Sequence, residues 1–91
     1  MEIIKGMVVK STAGHDGGSY YVVTAIDGGF AYIADGRERR LAKPKKKNVK
    51  HLQRTNGSVE LSGLTDKKLK AALRSFNSAE QDIDKESDEL V

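Results

Sequence analysis

Nine cationic side chains fall within eighteen residues: Arg37, Arg39, Arg40, Lys43, Lys45, Lys46, Lys47, Lys50 and Arg54, opposed only by Glu38. Crowded like charges repel one another and disfavour a compact chain unless a polyanion neutralises them. The chemistry open to such a run is therefore association and not bond-making. A lysine placed beside a phosphate releases condensed counterion, so its contribution weakens steeply as salt rises. Arginine adds a planar fork that suits phosphates and base edges. A solvated lysine-rich loop is the simplest competing reading, and the arginines of the run count against it.

The cationic run belongs to a chain with divided charge. Residues 1–54 carry eleven Lys or Arg against five Asp or Glu, a balance of +6, and residues 55–91 carry five against eight, a balance of −3. With 37% hydrophobic and 32% charged residues, the composition leans polar without entering the disordered class as a whole. A domain of this size buries only about 60–65% of the surface its unfolded chain exposes, so its core must be modest.

Other chemistries find no support. The absence of Cys excludes a disulfide framework, a thiolate metal site and a cysteine nucleophile together. His15 lies in a glycine-rich loop and His51 in the basic run, and two isolated histidines make a poor metal site. No serine has a base and an orienting acid at hand, and no glycine pattern leads into Lys-Ser or Lys-Thr as a phosphate loop requires. We therefore expect no enzyme activity, no metal and no cofactor. No stretch approaches 18 consecutive apolar residues and no basic leader precedes an apolar run, so a cytoplasmic protein without membrane contact is expected. Asn56-Gly57-Ser58 spells a glycosylation site but reads as a turn.

The elements that must position the cations are short. Residues 6–10 read as a first strand, and the glycine-rich segment 11–19 as a loop. Tyr20-Tyr21-Val22-Val23-Thr24-Ala25-Ile26, rich in β-branched and aromatic residues, reads as a second strand. Asp27-Gly28-Gly29 turns it into Phe30-Ala31-Tyr32-Ile33-Ala34, completing a hairpin. After the Asp35-Gly36 turn, Arg39-Arg40-Leu41 is a candidate fourth strand and Val49–Gln53 a fifth. In that fourth strand Arg37 and Arg39 would share one face and Arg40 the other. Pro44 is expected on a loop or sheet edge. Five short strands suit a small barrel better than a sandwich.

Past residue 54 the period changes. Residues 55–64 read as a linker. Leu69, Ala72, Leu73 and Phe76 then recur at helical spacing, with Thr65 or Asp66 as N-cap and Asn77 as the stop. The domain plan is thus a barrel over 1–54, a linker and a helix packing on it over 55–77, and an acidic tail over 78–91 expected to be disordered. A weak second helix from Ser78 would be marginal.

The segment Gly6-Met7-Val8-Val9-Lys10-Ser11 through Gly14 and Gly18 to Tyr21-Val22-Val23 resembles a KOW motif, in which a strand, a glycine loop and a second strand sit in an SH3-like barrel. Ala34-Asp35-Gly36-Arg37, the block Lys43-Pro44-Lys45-Lys46-Lys47-Asn48-Val49-Lys50-His51-Leu52 and the stretch Leu61–Leu69 are similar to bacterial KOW-domain RNA-binding proteins. Those proteins are related to KOW-containing large-subunit ribosomal proteins of eukaryotes and archaea. The likeness spans about residues 1–76. It implies a mainly β fold, a small SH3-like barrel with a C-terminal helix, and a structural role for Gly14 and Gly18. It also implies binding to RNA, ribosomal RNA first among candidates.

The residues expected to meet RNA are Arg37, Arg39, Arg40, Lys43, Lys45, Lys46, Lys47, Lys50 and His51. Tyr20, Tyr21, Phe30 and Tyr32 could stack on unpaired bases. Adjacent Tyr20 and Tyr21 must point to opposite faces, so one is expected in the core. The competing function is a protein-interaction adaptor for ribosomal proteins or for a translation or transcription factor, using the barrel or the apolar helix face of Leu69, Leu73 and Phe76. A monomer is expected in either case. The acidic tail could fold back on the basic run and compete with RNA.

Overall fold

The computed structural model describes residues 2–14 and 17–77. The disorder, second helix and fold-back expected of residues 78–91 lie outside the described residues, as do His15 and Asp16.

The protein is mainly β, with five antiparallel strands in one sheet. They are β1 (Met7–Ser11), β2 (Tyr20–Asp27), β3 (Phe30–Ala34), β4 (Lys45–Asn48) and β5 (Leu52–Ser58), hydrogen-bonded in the order β4-β3-β2-β1-β5. A helix, α1, follows over residues 66–77. The two edge strands β4 and β5 are separated in sequence only by the 3-10 turn Val49–His51. That short link forces the sheet to coil until its two edges approach at one end, although no ladder joins them.

Both faces of the sheet are apolar where β1 and β2 pair, which is why Val8-Val9 and Tyr21-Val22-Val23 are consecutively buried. Val9, Tyr21, Val23, Ala31, Ile33 and Leu52 fill the inside of the coil, with Ile3, Met7 and Val49 against them. Val8, Val22 and Ala34 point outward and are covered by Leu69 and Leu73 of α1. Burying leucine side chains as completely as these is worth about 1.5–3 kcal/mol each. A bulge between Val23 and Ala25 shifts the alternation by one residue. Ile26, which strict alternation from Val22 would put outside, therefore pairs with Ala31 on the inner face.

Local chemistry fixes α1 against this sheet. Thr65 Oγ1 accepts from the Lys68 amide at 3.1 Å, an N-cap, and Asp66 Oδ1 accepts instead from the Leu41 amide at 2.8 Å. Phe76 lies over Gly57 of β5, where a Cβ would overlap its ring, and contacts Tyr20 with 5.6 Å between ring centroids. Asn77, the expected stop, is the last described residue of α1 and donates from Nδ2 to Leu73 O at 3.2 Å.

Three sequence expectations are corrected. Residues 39–41 are not a strand, because Asp35 Oδ1 accepts from the amides of both Arg37 (2.8 Å) and Arg39 (3.0 Å) and folds the chain into a turn. The fourth strand is the lysine block itself, beginning directly after Pro44, which has no amide to give and sits at a sheet edge. Val49–His51 does not extend, since Asn48 Oδ1 accepts from the Lys50 amide at 2.9 Å and caps a 3-10 turn. β5 consequently starts at Leu52 and runs through the boundary placed at 54–55.

Candidate nucleic-acid interface

Register decides which lysines of β4 face outward. Phe30 pairs with Asn48, Ala31 with Lys47, Tyr32 with Lys46 and Ile33 with Lys45. Paired residues share a face, so Lys45 and Lys47 follow the core residues Ala31 and Ile33 inward. Phe30, Tyr32, Lys46 and Asn48 share the outer face.

Lys47 is 9% exposed, and its ammonium donates to Ala13 O at 3.0 Å. Its charge is spent tying the β1–β2 loop to the sheet, which removes it from the exposed set that the sequence proposed. Lys45 is half-buried and also engaged. Lys46 is exposed, with Nζ 4.7 Å from the centroid of the Phe30 ring. An ammonium over an aromatic face at this range is attracted by the ring quadrupole. Phe30 itself remains 39% exposed at the tip of the β2–β3 hairpin.

The other candidates surround this patch or lie apart from it. Lys43, Lys50 and His51 are exposed, Lys43 just before β4 and the other two in the 3-10 turn after it. The Val49 amide donates to Gly29 O at 3.0 Å, which pins that turn to the hairpin carrying Phe30. Lys46, Lys50, His51 and Phe30 are thereby gathered at one end of the sheet. Arg37 and Arg40 are exposed and Arg39 half-buried, all on the turn following β3, at the opposite end of that strand from Phe30. The basic run is thus divided between two ends of β3.

Of the four sheet aromatics, Tyr21 is the core residue and Tyr20 the outer one. Tyr20 is already occupied by Phe76 and by Lys10 Nζ, 5.6 Å from its ring centroid. Phe30 is the aromatic most open to a base, with half-buried Tyr32 beside it on the same face. Gly14 and Gly18 have φ of +76° and +90°, and the Gly18 amide donates to Ser11 O at 2.8 Å. Their role is in shaping the loop.

Two features lie outside the set of residues expected to meet RNA. Arg54 pairs across from the core residue Val9, and its Nε is buried without a hydrogen-bond partner beside a concavity lined by Ile3, Ile26, Val49 and Leu52. Lys70 and Arg74 of α1 come together with Arg37 around a second groove. Their four-residue spacing was visible, but only the fold could bring Arg37 to them. Among the described residues, no group of three or more His, Asp or Glu could hold a metal, and no helix is long and apolar enough to cross a membrane.

No protein-family model matches the chain, and no curated protein matches it.

Proposed function

We propose that the chain is an RNA-binding protein of the KOW type, non-enzymatic, cytoplasmic and associated with ribosomes or translation, whose coiled sheet is an SH3-like barrel. The observation that carries this reading is the pairing of Phe30 with Lys46 on an open sheet face, with exposed Lys50 and His51 in the turn that follows β4 at the same end. Aromatic platforms edged by cations suit RNA because every base has a π-face and every linkage a charge.

A bland explanation exists for the lysines alone. β4 is an edge strand, and lysines on edges discourage unwanted strand pairing. Edge protection gives no reason to leave a phenylalanine open beside them. The adaptor reading loses its best surface, because Leu69 and Leu73 are buried against the sheet and Phe76 is packed on Gly57 and Tyr20.

The test is a salt titration of binding to ribosomal RNA. Lys43→Ala, Lys46→Ala and Lys50→Ala together should lower the log–log salt slope by roughly 2, taking about 0.7 per lost phosphate contact. An unchanged slope would take this edge out of the interface. Absence of RNA attachment even in dilute buffer would end the reading.

A further inference from the structure

A second cationic surface lies where α1 meets the far end of the sheet. A groove of about 450 Å³ is lined by Ser19, Tyr20, Asp35, Arg37, Lys70 and Arg74, with Leu73 and Asn77. Its three cations come from two segments thirty-odd residues apart in sequence. Their meeting depends on Gly36, whose φ is +81° and where a Cβ would strike the Asp66 carbonyl and the Lys70 side chain. Only a glycine lets the turn nestle this closely against the first turns of α1.

The arrangement is costly as it stands. Lys70 and Arg74 are like charges at i, i+4, a spacing that destabilises a helix by about 0.2–0.5 kcal/mol. Arg37 adds a third positive charge. Asp35 is the only carboxylate in the lining, and its Oδ1 already accepts from two backbone amides. Among the described residues, none of the three cations makes an ion pair. A groove with three cations, the Ser19 hydroxyl and the Asn77 amide presents donors to an anion carrying several oxygens. Its apolar lining is small, which fits a phosphate better than a base or an apolar side chain.

We infer that this groove is a second phosphate subsite for the same RNA, which would then engage the protein at both ends of β3. The inference rests on the RNA-binding reading and names an additional contact for it. The outer face runs from Phe30 and Lys46 at one end of β3 to Arg37 at the other. An RNA strand lying along the sheet meets the aromatic patch first and the groove second.

A fluorescent RNA stem–loop titrated with the full chain between about 50 and 200 mM salt separates the possibilities. Lys70→Ala with Arg74→Ala should lower the log–log slope by roughly 1.4, at about 0.7 per contact. Lys5→Ala with Lys68→Ala removes the same charge from exposed positions outside the groove and should leave the slope nearly unchanged. Lys70→Gln with Arg74→Gln repeats the test with longer side chains should the alanine pair fold poorly. Equal slopes for the groove and control pairs overturn the subsite while leaving the RNA reading intact. A wild-type chain that does not hold the stem–loop even at the lowest salt overturns both.

Discussion

At one end of the outer sheet face, Val8, Val22 and Ala34 lie fully buried beneath α1, while at the other Phe30, Tyr32, Lys46 and Asn48 have no element packed over them among the described residues. The two ends share one face and one strand, β3, and differ in the side chains they present there. Small apolar residues at outward positions recruit the amphipathic helix. An aromatic ring and an ammonium at equivalent positions do not, because the charge must stay hydrated or meet an anion. A small sheet can therefore use one face twice, first to complete its core and then to present a ligand surface.

The strongest way to break this contrast is at the covered end. Leu73→Ala should cost about 2–5 kcal/mol of unfolding free energy, read from denaturant titration. A loss under 1 kcal/mol would mean that α1 contributes little to the fold. At the open end Phe30→Ala should leave stability within about 0.5 kcal/mol. It should weaken binding to an unpaired RNA oligonucleotide by about 1–3 kcal/mol if a base stacks there. Unaltered affinity would reduce the platform to its lysines.

Adjacent lysines on β4 offer a finer comparison. Lys47→Ala should destabilise the fold by about 1–3 kcal/mol through the lost bond to Ala13 O, with the RNA salt slope unchanged. Lys46→Ala should do the reverse, lowering the slope by about 0.7 and sparing stability. The smallest expected effect belongs to the anchor between the turn and the helix. Asp66→Ala removes the acceptor for the Leu41 amide and should cost about 1 kcal/mol, visible as a lowered thermal midpoint.

Much of the fold was legible because its strongest signals are local. The hairpin of β2 and β3 follows from β-branched runs around Asp27-Gly28-Gly29, and α1 from the spacing of Leu69, Leu73 and Phe76. The lysine block was harder to read, because charge suggested a loop and strand propensity gave no counter-signal. Its strand is imposed by pairing with β3, a tertiary effect that no local pattern records. The same pairing sorted the candidate site, turning Lys47 inward and Lys46 outward from one uninterrupted run. Arg39 and Arg40 looked like strand residues because the Asp35 carboxylate, which bends that segment, acts through its side chain. Gly57 reads with Asn56 and Ser58 as a turn, yet it lies within β5, and its reason is Phe76, nineteen positions away.

The central claim is that the open end of the outer face receives RNA. Amide chemical shifts of the full chain, followed while a short unpaired RNA oligonucleotide is added, test it residue by residue. The account predicts movement at Phe30, Tyr32, Lys46, Asn48 and Lys50, with Val8 and Val22 beneath the helix, and Leu69 packed on them, unmoved. Perturbations confined to other surfaces, or none at all in low-salt buffer, would contradict it.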